Sequence, residues 1–139
     1  MGLGEKLFEE KGKVTDMNIE SVHPVEGTKV NANFVSDIKG MGKFPSGKNM
    51  GSGVINQYPH GIWDASYRGV VTTQDGEQFF WWGHAKNRAG EGWNVRGIVL
   101  VTGFTNSQKL AWMNRLILAI ETELNQTAQE FAATGFEWK

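Results

Sequence analysis

The side chains of this sequence best suited to chemistry are three histidines, a few charged residues set among apolar ones, and a run of aromatics. His23, His60 and His84 lie far apart in the chain, with no His-x-His or His-x-x-x-His pair to seed a metal site. There is no cysteine, so disulfides, thiolate metal sites and cysteine nucleophiles are excluded. No metal is expected. His23 and His60 stand next to Pro24 and Pro59 in turn-like sequence and read as solvated groups. His84 differs, because its strand-like segment also holds Trp82 and pairs with the segment of Tyr67.

Asp64 and Arg68 are four residues apart and so share one strand face, while Arg96 and Asn94 lie on a later strand. Buried charge is costly unless paired. One solution is an Asp64–Arg68 ion pair. The other is an arginine that grips a ligand carboxylate or phosphate with its planar fork. The glycine-rich runs Gly40-Met41-Gly42-Lys43 and Gly51-Ser52-Gly53 fit neither phosphate-loop pattern, and no Gly-x-Ser-x-Gly occurs. No cofactor is expected.

The elements that must position these groups are mostly strands. The 139 residues include 18 glycines but only three prolines, and six tryptophans and eight phenylalanines. Glycine-punctuated, aromatic-rich sequence with short apolar alternations is typical of meanders and barrels. Thr28–Ile38 places Val30, Ala32, Phe34 and Ile38 on one face, the pattern of a half-buried strand. Ile62–Thr73 and Gln78–Lys86 flank Gln74-Asp75-Gly76-Glu77, and Asp-Gly predicts a two-residue hairpin turn. Counting outward, Gly69 faces Trp82 and Tyr67 faces His84. Trp63, Tyr67, Phe80, Trp82 and His84 then share one face, and Phe79 and Trp81 the other, with Val70 and Arg68. Trp93–Phe104 is apolar on both faces, which suits a central strand or a wall covered by a partner subunit. Lys13–Val25 reads as a strand, and Pro45-Ser46-Gly47 and Tyr58-Pro59-His60-Gly61 as turns.

Ser107–Lys139 supports two readings. Leu110, Met113, Ile117, Ile120, Leu124, Ala128 and Phe131 recur at helical spacing, which predicts a long helix over 107–133. Leu116, Leu118, Ile120, Thr122 and Leu124 alternate instead with Ile117, Ala119, Glu121 and Glu123. That predicts a short helix near 107–114 and then a strand. Residues 134–139 read as extended either way.

Several features together resemble a group of small bacterial and archaeal barrel proteins of calycin-like or allene oxide cyclase-like shape. They are Arg96-Gly97, Thr102–Ser107, Lys109-Leu110-Ala111, Asn114, Glu121, Glu123 and the closing Phe136-Glu137-Trp138-Lys139. The turn Thr72–Glu77 resembles theirs as well. The likeness covers roughly 65–139, with a weaker echo at Glu9–Asp16. It implies an antiparallel barrel of about eight strands with one short helix before the last two. The stretch Thr127–Ala133 departs from the glycine-centred turn the group would have, and this keeps the α+β alternative open. The resemblance supplies no catalytic residue.

A single domain, 1–139, is expected. The net charge is −1 and no basic run stands out, so nucleic acid is not an expected partner. No apolar segment follows the N-terminal Met1–Lys6, and the longest apolar stretch, Leu116–Ile120, is far short of the ~20 residues of a membrane helix. Neither a secretory signal nor a membrane span is expected, and the expected location is cytoplasmic. Three functions fit. The first is a barrel binding a small apolar or aromatic, even anionic, ligand through Trp63, Tyr67, Arg68, Trp82, His84 and Arg96. The second is a cofactor-free cyclase or isomerase using His84 or Asp64 with Tyr67. The third is an oligomer-forming barrel, with a homodimer the simplest assembly.

Overall fold

Period-two alternation runs through nearly the whole chain, and the computed structural model, which describes residues 2–139, turns it into eight strands. Met1, at the head of the N-terminal run considered above, lies outside the described residues. In order they are β1 (Leu3–His23), β2 (Gly27–Gly40), β3 (Gly47–Gln57), β4 (Ile62–Thr73), β5 (Gln78–Ala89), β6 (Asn94–Phe104), β7 (Leu118–Asn125) and β8 (Glu130–Trp138). Each pairs antiparallel with the next, and β8 returns to β1, so the sheet closes into an up-and-down barrel. Closure leaves no sheet edge along the paired length.

The expected strands are present, but β1 begins ten residues before Lys13, at Leu3. The long helix over 107–133 does not form. A 3-10 helix occupies Ala111–Arg115, the backbone is extended again at Leu116, and β7 and β8 follow. The reason is topological: β6 and β1 each need a partner on their open side, and only two more strands supply both. The helical stripe arises from two alternating strands read across their turn. That turn uses no glycine. Asn125 Oδ1 accepts from the amides of Thr127 (3.0 Å) and Ala128 (3.1 Å), and Gln129 takes a φ of 56°.

The Asp75-Gly76 hairpin also differs from the expected register. Thr73 N donates to Glu77 O at 2.8 Å, so three residues form the loop, with Gly76 at φ 88°. The pairing moves by one residue: Gly69 faces Trp81, Val71 faces Phe79 and Tyr67 faces Gly83. Such a slip exchanges the two faces of β5 relative to β4. Tyr67 therefore shares the inner face with Phe79 and Trp81, not with Trp82 and His84.

Inside the barrel, large rings lie across the ladder from glycines: Phe34 from Gly51, Trp81 from Gly69, Phe131 from Gly12 and Phe8 from Gly135. A β-carbon on Gly69 would sit 2.7 Å from the Trp81 ring, and one on Gly51 2.6 Å from the Phe34 ring. The high glycine content thus makes room for aromatics in a narrow barrel. One end is closed. Phe44, in the β2–β3 connection, stacks on Phe8 at 4.9 Å, and Leu110, Met113 and Leu116 from the β6–β7 connection complete the core there.

Candidate functional site

The barrel interior encloses a cavity of about 160 Å³. Its wall is mostly apolar, from Phe34, Phe79, Trp81 and Phe131 to Val99 and Ile120. At the closed end the lining residues Phe8, Phe44 and Phe79 are buried, whereas Val14, Ile55, Trp63, Leu124 and Phe131 at the opposite end are half-buried. That end is the less covered of the two, although Val95 there is buried. Beside it β1 overhangs the rim, because its last partner on β8 is Glu130, opposite Lys13. Met17 and Ile19 pair with the inward residues Ala32 and Val30, so this overhang extends the inner, apolar face past that end.

Within the apolar wall sits one carboxyl group. Glu10 follows Phe8 and precedes Gly12 and Val14 in the inward phase of β1, and is only 8 % exposed. Ser36 Oγ donates to its Oε2, and so does Asn49 Nδ2 at 3.2 Å. The indole N–H of Trp81 donates to Asn49 Oδ1 at 2.8 Å, which fixes the amide's orientation. Both hydrogen bonds to Glu10 fall on one oxygen. No buried side-chain N or O among the described residues lacks a partner, so the other oxygen, Oε1, borders the cavity's open space. Burial pushes the Glu10 carboxyl above its ordinary value, only partly offset by the bonds from Ser36 and Asn49. The group is held toward its neutral form, in which a carboxyl can donate as well as accept.

Further polar groups continue from Glu10 along one ladder. Glu10 pairs with Ala133, Ala133 with Thr122, Thr122 with Gly97, and Gly97 with Asn87. Only small residues stand between them, so Glu10, Thr122 and Asn87 form an arc without bulk. Asn87 lies beside the Tyr67 phenol, which burial pushes up and the Asn87 side chain partly offsets. Among the described residues, the cavity lining contains no lysine, arginine or histidine.

Of the residues expected to bind a ligand, Trp63 and Tyr67 line this cavity. Arg68, Trp82, His84 and Arg96 point outward and are exposed. The one-residue change of register accounts for Trp82 and His84. Arg68 and Arg96 follow from strand phase, since their neighbours Tyr67 and Val95 point in. Asp64 is also outside and pairs with Lys86, not Arg68. His84 Nδ1 lies 3.3 Å from Ser66 Oγ at the surface. Glu10, Asn49, Trp81, Asn87 and Thr122 were not anticipated. A strand begun at Leu3 would have exposed Glu10, since it falls in phase with Phe8 and Val14.

No protein-family model matches the sequence, and no curated protein matches it. Solved structures do share its shape. A protein of unknown function from Clostridium acetobutylicum superposes with a TM-score of 0.85 at 14 % identity, over 99 % of this chain and 97 % of that one. A β-barrel-like protein from Acinetobacter baumannii gives 0.81 at 13 % identity, over 99 % and 95 %. An enzyme from Penicillium herquei gives 0.65 at 15 % identity, over 99 % and 96 %. At these identities the likeness is one of fold: the class is a small β-barrel.

Proposed function

We propose that the barrel binds a small, neutral, one-ring aromatic molecule carrying a hydrogen-bond acceptor. The observation that supports this most is the free Oε1 of Glu10 at the edge of an otherwise apolar cavity. Size limits the ligand. A cavity near 150 Å³ accommodates a benzene ring, whereas drug-sized molecules take roughly 300–1,000 Å³. Charge limits it further, because among the described residues no cation lines the wall to offset a carboxylate or phosphate. A carbonyl oxygen suits a protonated Glu10. Calorimetric titration with acetophenone, toluene and benzoate tests the reading: acetophenone should bind more tightly than the other two. Equal binding of acetophenone and toluene, or preference for benzoate, would count against it.

The same oxygen favours a second reading, a cofactor-free enzyme in which ionised Glu10 takes a proton at Oε1 from the carbon next to the ligand's carbonyl, the neutral Tyr67 phenol donates to the carbonyl oxygen, and Oε1 returns a solvent-exchanged proton to the carbon. Here Glu10 takes the place first given to His84 or Asp64, with Tyr67 as the second polar group. Exchange of acetophenone methyl protons in D₂O, followed by NMR, should then be accelerated by the protein and lost in Glu10→Gln.

A further inference from the structure

The outer wall of the barrel has two different sides. On β1, β2 and β7 it carries Glu9, Lys11, Asp37, Lys39, Glu121 and Glu123, all exposed. Across β3–β6 it carries an apolar patch, flanked by Lys48, Asp64, Lys86, Arg88 and Arg96. Met50, Val70, Phe80 and Phe104 are successive cross-strand partners and form one outward row. In the next row Trp82 stands between Arg68 and Thr102, and in the third Leu100 faces His84. Met50 is 60 % exposed, Trp82 and Leu100 53 %, Phe104 48 % and Phe80 43 %. Half-exposed side chains of this size present on the order of 100 Å² each, so with Ile98 the patch offers roughly 500–600 Å² of apolar surface. A standard interface takes about 800 Å² from each partner, and in homodimers about 65 % of it is apolar. The two areas agree.

We propose that this face joins two copies of the chain across a twofold axis close to Trp82. An isologous contact needs a surface that complements itself. Charge does not oppose it, since Asp64 at the rim is already paired with Lys86 and the whole chain carries only −1. Arg68 is the charged side chain beside the aromatic centre, and among the described residues it has no ion-pair partner. Arg68 and Trp82 are cross-strand neighbours, so a twofold axis between them brings each guanidinium onto the indole of the other copy. The charged opposite side leaves no apolar belt around the barrel, which favours a protein partner over lipid.

Sedimentation equilibrium at micromolar concentration tests the proposal. The wild-type protein should have twice the 15.5 kDa chain mass. Trp82→Glu and Arg68→Glu should each give the single-chain mass with an unchanged far-ultraviolet circular dichroism spectrum, while Asp37→Lys, on the charged side, should stay dimeric. Neither Trp82 nor Arg68 contributes to the core, so Arg68→Glu decides the matter should Trp82→Glu fail to fold. A monomeric wild type would overturn the proposal. So would a dimer that survives Arg68→Glu, or a single-chain species that binds zwitterionic lipid vesicles.

Discussion

Trp81 and Asn49 are joined by a hydrogen bond of 2.8 Å from the indole N–H to the amide oxygen, and the amide nitrogen then holds Glu10. An aromatic wall residue and the buried acid are therefore one unit. Replacing Asn49 with Leu leaves the Trp81 N–H without its acceptor and removes a donor from Glu10. Each orphaned buried group costs about 1–3 kcal/mol. Asn49→Leu should lower unfolding free energy by roughly 2–3 kcal/mol in urea titration, and should raise the Glu10 pKa further.

Glu10 makes the stability depend on pH in a known direction. Its folded-state pKa lies above the unfolded value. The folded chain thus binds the proton more tightly, and stability falls as pH rises from the ordinary carboxylate range through the raised value. Glu10→Gln keeps an oxygen for Ser36 and Asn49 but cannot ionise. Urea denaturation at a series of pH values should show the variant gaining on the wild type as pH rises through that window, with the difference constant below it.

The opposition of Gly69 and Trp81 predicts a steric effect. Gly69→Ala places a methyl carbon 2.7 Å from the indole and 2.6 Å from the Met50 carbonyl oxygen. Overpacking of this kind typically costs about 1–3 kcal/mol. Thermal unfolding should show that loss along with changed Trp81 fluorescence, whereas Lys11→Ala on the exposed outer wall should stay within about 0.5 kcal/mol.

The β4–β5 turn is tied to the β6–β7 connection by Lys109 Nζ, 2.6 Å from Asp75 Oδ2. This bond, with that from Thr73, holds the Asp75 carboxyl down to about 2. A depressed carboxylate pKa stabilises above the unfolded value, and that contribution is lost as pH falls toward about 2. In NMR titration, Lys109→Met should return Asp75 toward the ordinary carboxylate range.

How much of this was legible in the sequence depends on which physical signal fixes each part. The strands themselves were readable, because alternation follows from one buried face, as in Val30, Ala32 and Phe34. The faces of β4 and β5 were not, because they hinge on whether the Asp75-Gly76 loop has two residues or three. One residue decides whether Trp81 or Trp82 enters the barrel. The turn between β7 and β8 was hidden because Asn125 and Gln129 do the work expected of glycine. Glu10 was hidden by the late start given to β1, and it is the residue on which the functional reading rests.

The most direct test of that reading follows the indole N–H of Trp81 by ¹H–¹⁵N NMR, assigned through Trp81→Phe, during titration with acetophenone. Trp81 bonds the amide that holds Glu10, whereas Trp82 points outside. The Trp81 signal should shift saturably while that of Trp82 stays in place, and the shift should vanish in Glu10→Leu. A Trp81 signal that does not move, or one that moves equally in Glu10→Leu, would contradict the account.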